Sequence, residues 1–91
     1  MKDSIAAIKS IDFAIKIIQL YKTLVEERKE YVMSKQLLRS GTAIGALIRE
    51  AEHAESTADF LHKMNIALKE ANETSYGLLL LFKGSYVRDC F

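Results

Sequence analysis

Proline is absent from this chain of 91 residues, and only four glycines occur. Because both residues interrupt helices, their scarcity favours long helices. The single cysteine excludes a disulfide within the chain, which is typical of proteins of a reducing compartment. The longest wholly apolar run is Leu78–Phe82, far short of the ~20 residues of a membrane span, and the charged N-terminal segment lacks the apolar core of a secretory signal. We therefore expect a cytoplasmic protein with no membrane partner.

An excess of charge of one sign is also lacking, since 13 Lys and Arg stand against 12 Asp and Glu, a net charge of +1. This balance neither supports nor excludes a nucleic-acid partner. The length predicts a single domain over residues 1–91. A domain of this size buries only about 60–65% of the surface that its unfolded chain exposes, so its core is small.

Apolar residues recur with helical spacing in three segments. We predict a first helix over about residues 4–27, a second over about residues 31–53, and a third that follows the N-cap Ser56 and stops at Gly84 in the C′ position. Helices of this length joined by short turns fold back on one another. The apolar face of the first helix spans nearly half its circumference, about twice what one packing partner needs. The sequence therefore predicts an all-α antiparallel up-down bundle with apolar surface left for a further helix or subunit.

Two glycines, Gly41 and Gly45, lie inside the second predicted helix, where each costs about 1 kcal/mol relative to alanine. Being four residues apart, they lie on one side and form a shallow groove that lets another helix approach closely. The third helix offers small residues at the same spacing, Ala67 and Ala71, so we predict packing between these two helices. Phosphate binding is disfavoured, because no Lys-Ser/Thr pair follows Gly45 as a P-loop requires.

Four segments carry a resemblance to a known family: SKQLLRSGTAIG, REAEHAES, ADFLHKMNIALKEA and NETSY. Residues 8–87 resemble the four-helix-bundle proteins encoded in intervening sequences of bacterial 23S ribosomal RNA genes, whose fold is shared by accessory proteins of diversity-generating retroelements. The resemblance implies a homo-oligomer, typically a pentamer around a central channel. It implies no catalytic residues, and nucleic-acid or protein binding is the activity usually suggested for the family.

The chain departs from the family pattern in three places. The family usually has Asn followed by Ile where Ala46-Leu47-Ile48 stands, and Trp where this chain has Gly77. Family members also continue into a fourth helix after a Gly-Tyr turn, whereas this sequence ends in GSYVRDCF. We therefore expect three helices of a four-helix bundle, with the fourth, C-terminal helix missing.

Catalytic and metal chemistry find little support in the residues. Glu50-x-x-His53 has the spacing of carboxylate-bridged di-metal bundles and Asp59-x-x-His62 echoes it, but both histidines face away from the apolar stripes. Nothing near Cys90 in sequence would lower its pKa, and no serine lies in a nucleophile motif. We expect no enzymatic activity, no metal, no cofactor and no small-molecule substrate.

Three sets of surface residues remain as candidates for binding. The candidate nucleic-acid contacts are Lys2, Lys9, Lys16, Lys35 and Arg39. The candidate inter-helix or inter-subunit ion pairs involve Arg39, Arg49, Glu50, Lys69, Glu70 and Glu73. The candidate subunit contacts, off the main stripe of the third helix, are Ile66, Tyr76 and Leu80. A symmetric oligomer would repeat a modest basic patch, so we predict a self-assembling module that binds nucleic acid. The alternatives are a structural interaction protein without a nucleic-acid role and a metal-dependent oxidase.

Overall fold

The computed structural model describes residues 4–87, which form three α-helices: α1 (Ile5–Glu26), α2 (Met33–Glu52) and α3 (Thr57–Lys83). These described residues contain no strand, so the predicted all-α class is confirmed. Helix α2 packs against both other helices, whereas no Cα atom of α1 lies within 8 Å of a Cα atom of α3. Helix α2 is therefore the centre of the described fold.

Serine side chains determine where α1 and α3 begin. The hydroxyl oxygen of Ser4 accepts a hydrogen bond from the amide of Ala7 (3.1 Å), and that of Ser56 accepts one from the amide of Asp59 (3.0 Å). Each satisfies a first-turn N–H group that has no partner within the helix. The Ser4 hydroxyl also donates to the Glu52 carboxylate, which holds the first turn of α1 beside the last turn of α2. The predicted Ser56 cap is confirmed.

Helix α2 begins two residues later than predicted, because its cap comes from the preceding loop. The Glu30 carboxylate accepts hydrogen bonds from the amides of Ser34 (2.6 Å), Met33 (3.1 Å) and Val32 (3.3 Å). Desolvation by burial raises the pKa of Glu30, but these hydrogen bonds outweigh it and leave the pKa below its ordinary value. A negative charge at this end of the helix also suits the helix dipole.

The end of α3 differs from the prediction by one position. Gly84 is the C-cap with φ −82°, and the left-handed residue is Ser85, with φ 67°. The amide of Tyr86 donates to the carbonyl of Leu81 (2.8 Å), and the amide of Ser85 donates to that of Phe82 (3.1 Å). This pairing is a Schellman motif with serine where glycine is usual.

The core lies where side chains of all three helices meet. Its four buried members are Ile17, Leu24, Leu37 and Leu81. On α3, Phe60 and Phe82 are 40% and 39% exposed, while Leu81 is fully buried. Helix α2 packs along the side of α3 that carries Thr74 and Leu81, and α1 has no close backbone contact with α3.

Candidate assembly surface

The two glycines of α2 lie at a close contact with α1. A Cβ atom added to Gly41 would lie 2.9 Å from Cγ1 of Ile17, and one added to Gly45 would lie 2.8 Å from Oγ of Ser10. The prediction that they face α3 was therefore wrong about the partner helix. Ala67 is buried and Ala71 half-buried on α3. Helix α2 packs against both α1 and α3, and the spacing of its apolar residues does not show which of the two helices the glycines face.

An acid–base cluster joins α2 to α3. The guanidinium of Arg39 donates to the Glu70 carboxylate (2.9 Å) and to that of Glu73. The side chains of Arg39 and Glu73 are 57% and 53% exposed, so each pair contributes at most about 1 kcal/mol. Since two carboxylates already occupy Arg39, it is a weak candidate for a phosphate contact.

The other predicted ion-pair residues are only partly brought together. Glu50 of α2 lies 3.7 Å from the ammonium of Lys63, a residue outside the predicted set. Arg49 is exposed near the end of α2. Lys69 is exposed and has no ion-pair partner within residues 4–87.

A pair of buried hydroxyl groups lies beneath the Arg39 cluster. The Thr74 hydroxyl lies 2.8 Å from the Ser40 hydroxyl and 2.8 Å from the Glu70 carbonyl oxygen. The Ser40 hydroxyl also lies 3.4 Å from the Leu37 carbonyl oxygen. Both side chains are about 1% exposed, and no buried side-chain nitrogen or oxygen of the described part lacks a partner. These hydrogen bonds fix the lateral position of α3 against α2, because an unpaired buried hydroxyl is costly.

A groove runs along the outer side of the α2–α3 contact, next to the hydroxyl pair. This Gly77 groove has a volume of about 110 Å³ and is lined on its apolar parts by Met33, Leu37, Tyr76, Gly77 and Leu80. A Cβ atom on Gly77 would meet only Cδ1 of Leu37, at an ordinary 3.5 Å. Tyr76 and Leu80, two of the three predicted subunit contacts, line this groove, whereas the third, Ile66, is half-buried and does not.

A row of isoleucines follows the outer side of α1. This isoleucine seam consists of Ile8, Ile11, Ile15 and Ile18, all 37–50% exposed. Their spacings of three and four residues place them on one helix face. Each follows a residue that faces inward, so the seam lies about 100° around the helix from the contact with α2. The seam was not singled out from the sequence, although its spacing is visible there.

The predicted basic residues do not form one cluster. Lys2 lies outside the described residues, and Lys35 is exposed in the first turn of α2. Lys9 and Lys16 are exposed on α1, where they line an open depression of about 350 Å³ together with Asp12 and Phe13. The carboxylate of Asp12 between the two lysines reduces the positive potential there.

The described residues contain no group of three or more His, Cys, Asp or Glu side chains that could hold a metal ion. His53 and His62 are both exposed. Cys90 lies outside the described residues.

Comparisons with protein-family models and with solved structures both find related proteins. The family model of the 23S rRNA-intervening sequence proteins matches residues 2–90. The chain belongs to this family. Among solved structures, it is similar to a protein of unknown function from the S23 ribosomal protein family of Bacteroides thetaiotaomicron. The two are 62% identical with a TM-score of 0.91, over 93% of this chain and 79% of the other. No curated protein matches the chain.

Membership of the 23S rRNA-intervening sequence protein family confirms the resemblance found in the sequence. It assigns no chemistry to particular residues, because the similar crystal structure is itself of unknown function. Within residues 4–87, no helix combines the length and apolar character that crossing a membrane requires.

One further contact in this family member was not anticipated from its sequence. The Arg28 guanidinium, in the loop after α1, donates to the carbonyl oxygens of Ser85 (3.1 Å) and Tyr86 (3.4 Å). It also lies 5.2 Å from the centroid of the Tyr86 ring, within cation–π distance. The contact ties the α1–α2 loop to the end of α3. No local signal marks it, because the partners are nearly sixty residues apart and two are backbone oxygens.

Proposed function

We propose that this protein is a non-catalytic helical module that assembles with copies of itself. The observation that supports the proposal is the amount of apolar side chain left uncovered on two helices. Helix α1 exposes the isoleucine seam, and α3 exposes Leu61, Leu68, Leu79 and Phe82. Contiguous exposed apolar surface on a folded protein commonly marks a contact with another protein or helix.

We also infer an antiparallel up-down arrangement in which α1–α3 occupy three of the four positions of a bundle. The Ser4–Glu52 hydrogen bond supports the antiparallel pairing of α1 with α2. The lack of close backbone contact between α1 and α3 is what diagonal positions in such a bundle would give. A fourth helix would lie between them and cover the exposed leucines of α3.

The size of the protein in solution tests self-assembly. Light scattering should be measured over a range of concentrations, on this chain and on one extended through a fourth helix. We expect a discrete oligomer for both, of the pentameric size that the family resemblance suggests. If the short chain alone is monomeric or polydisperse, α1–α3 do not carry the assembly surface. A clean monomer for both chains at every concentration would refute self-assembly.

Nucleic-acid binding is the second candidate function. It is supported by the exposed Lys9 and Lys16, whose spacing along α1 places them on one face of the helix. Symmetric assembly would repeat this pair in each subunit, and phosphate contacts add.

Binding of a single-stranded RNA oligonucleotide should be measured as a function of salt. We expect affinity to fall with salt, and a Lys9→Gln, Lys16→Gln double variant to bind more weakly with a shallower salt dependence. Lys69→Gln is the matched control, because it removes an exposed lysine from another helix. Equal binding by all three proteins would exclude this site.

A further inference from the structure

We infer that Arg28 is a latch that couples the loop between α1 and α2 to the turn at the end of α3, so that the two turns open and close as one unit. Its guanidinium donates to the carbonyl oxygens of Ser85 (3.1 Å) and Tyr86 (3.4 Å) and lies 5.2 Å from the centroid of the Tyr86 ring. All of these contacts lie within one chain, so the inference does not depend on self-assembly.

Each of the two turns contains a residue in an unfavourable backbone conformation. Lys29 in the loop has φ 55° and Ser85 after α3 has φ 67°, and within residues 4–87 no other non-glycine residue has a positive φ. The left-handed region crowds the Cβ atom of an L-residue, so such a residue persists only where surrounding contacts hold it. Neither turn is therefore maintained by its own backbone preference alone.

Backbone hydrogen bonds anchor both turns on the same core cluster. In the loop, the Glu30 amide donates to the carbonyl oxygen of Leu24 (3.0 Å). After α3, the amides of Tyr86 (2.8 Å) and Val87 (3.3 Å) donate to the carbonyl oxygen of Leu81. Leu24 and Leu81 are fully buried members of the core cluster, and Val87 packs against it. Opening of either turn therefore uncovers part of one shared core.

The latch is the polar link between the loop and α3. The Glu30 carboxylate attaches the loop to the first amides of α2. Within the described part of the chain, no side-chain hydrogen bond or ion pair other than those of Arg28 joins the loop to the turn after α3. Loosening of the α3 turn displaces the acceptors of Arg28, and loosening of the loop displaces the donor. The stability of each turn therefore depends on that of the other.

Hydrogen–deuterium exchange, followed by NMR amide by amide, tests the latch. Arg28→Met keeps an unbranched side chain but removes the guanidinium. We expect the amides of Glu30 and Tyr86 to exchange about fivefold faster in this variant, because their turns open more often once the charged donor is lost. Lys22→Met is the matched control, since it removes another exposed positive charge near the end of α1 and should leave both rates unchanged.

A second substitution tests the coupling from the α3 side. Ser85→Gly places in the left-handed position the residue that adopts it without penalty, so the amide of Tyr86 should exchange more slowly. If Arg28 couples the turns, the amide of Glu30 should also exchange more slowly, and this transmitted effect should disappear when Arg28→Met is added.

The outcomes separate a latch from a purely local contact. Unchanged exchange at both amides in Arg28→Met would overturn the inference. In either variant, a change at Tyr86 that Glu30 does not share would show that the turns open independently, which also overturns it. An equal change at amides in the middle of α2 would mean that the whole fold opens, and a local latch would again be wrong.

Discussion

Three glycines inside helices should respond differently to replacement by alanine. The change should raise the free energy of unfolding at Gly77 and lower it at Gly41 and Gly45. Gly41, Gly45 and Gly77 all lie within helices, where alanine is intrinsically better than glycine by about 1 kcal/mol. At Gly77 the new methyl group meets only Leu37, at 3.5 Å, so the intrinsic gain should appear nearly undiminished. At the other two positions the methyl group would enter the α1–α2 contact.

The spacing of that contact sets the magnitude. Carbon atoms pack well at about 3.5–4.0 Å, but a Cβ on Gly41 would lie 2.9, 3.0 and 3.3 Å from three atoms of Ile17. Ile17 is fully buried and β-branched, so it cannot rotate away. Overpacking of this kind costs about 1–3 kcal/mol, which leaves a net destabilisation of about 0–2 kcal/mol for Gly41→Ala. Gly77→Ala should instead stabilise by about 0.5–1 kcal/mol.

Urea unfolding followed by circular dichroism at one protein concentration measures these differences. With a slope of about 1–2 kcal/mol per M, the midpoint of Gly77→Ala should lie above that of Gly41→Ala by about 0.3–3 M. For Gly45→Ala the clash is with the Ser10 hydroxyl, at 2.8 Å, so adding Ser10→Ala should relieve part of the loss in a double-mutant cycle. Equal stabilisation by all three alanines would refute the close α1–α2 contact.

Three further predictions concern the caps, the core and the surface. Glu30→Gln should destabilise by about 1 kcal/mol at neutral pH, as loss of a helix cap does. Because the folded state lowers the Glu30 pKa, its contribution is present above the ordinary value of 4.5 and lost as pH falls through the folded value. Unfolding measured from pH 7 downward should therefore show a steeper acid loss in the unmodified chain than in Glu30→Gln, and parallel curves would contradict this account. In the core, Leu81→Ala should cost about 2–5 kcal/mol by urea unfolding and Phe82→Ala much less, since Leu81 is fully buried and Phe82 is not. On the surface, Arg39→Ala should cost less than about 1 kcal/mol per ion pair lost, and added salt should reduce the difference.

Local signals in the sequence predicted the helices and most of their ends. The Ser56 cap could be read because its partner, the amide of Asp59, lies only three residues away. The Glu30 cap was missed because its carboxylate reaches over Tyr31 into a helix that begins three residues later, outside the usual pattern. The left-handed conformation of Ser85 after α3 was also missed. Glycine is the usual residue at that position, so the sequence favoured Gly84.

The interior of the fold was less predictable, because the apolar faces of α1 and α3 are wider than one partner can cover. On α3, apolar residues extend beyond the contact with α2, so Leu81 is fully buried while the adjacent Phe82 is 39% exposed. On α2, the glycine spacing predicted a close helix contact but contained no information about which neighbour makes it. Only the three-dimensional arrangement places Gly41 against Ile17.

The order of residues along α1 links the glycines to the isoleucine seam. Four neighbouring pairs recur at helical spacing, each with its first member facing inward and an isoleucine facing outward: Ala7-Ile8, Ser10-Ile11, Ala14-Ile15 and Ile17-Ile18. In three of the pairs the smaller residue faces inward. Together with Gly41 and Gly45 of α2, these small residues allow α1 and α2 to approach closely. A monomer would gain more from the reverse order, because burial of apolar area contributes about 25 cal/mol per Å². Isoleucines on the outer side of such a helix are therefore better explained by a second packing partner than by the stability of the single chain.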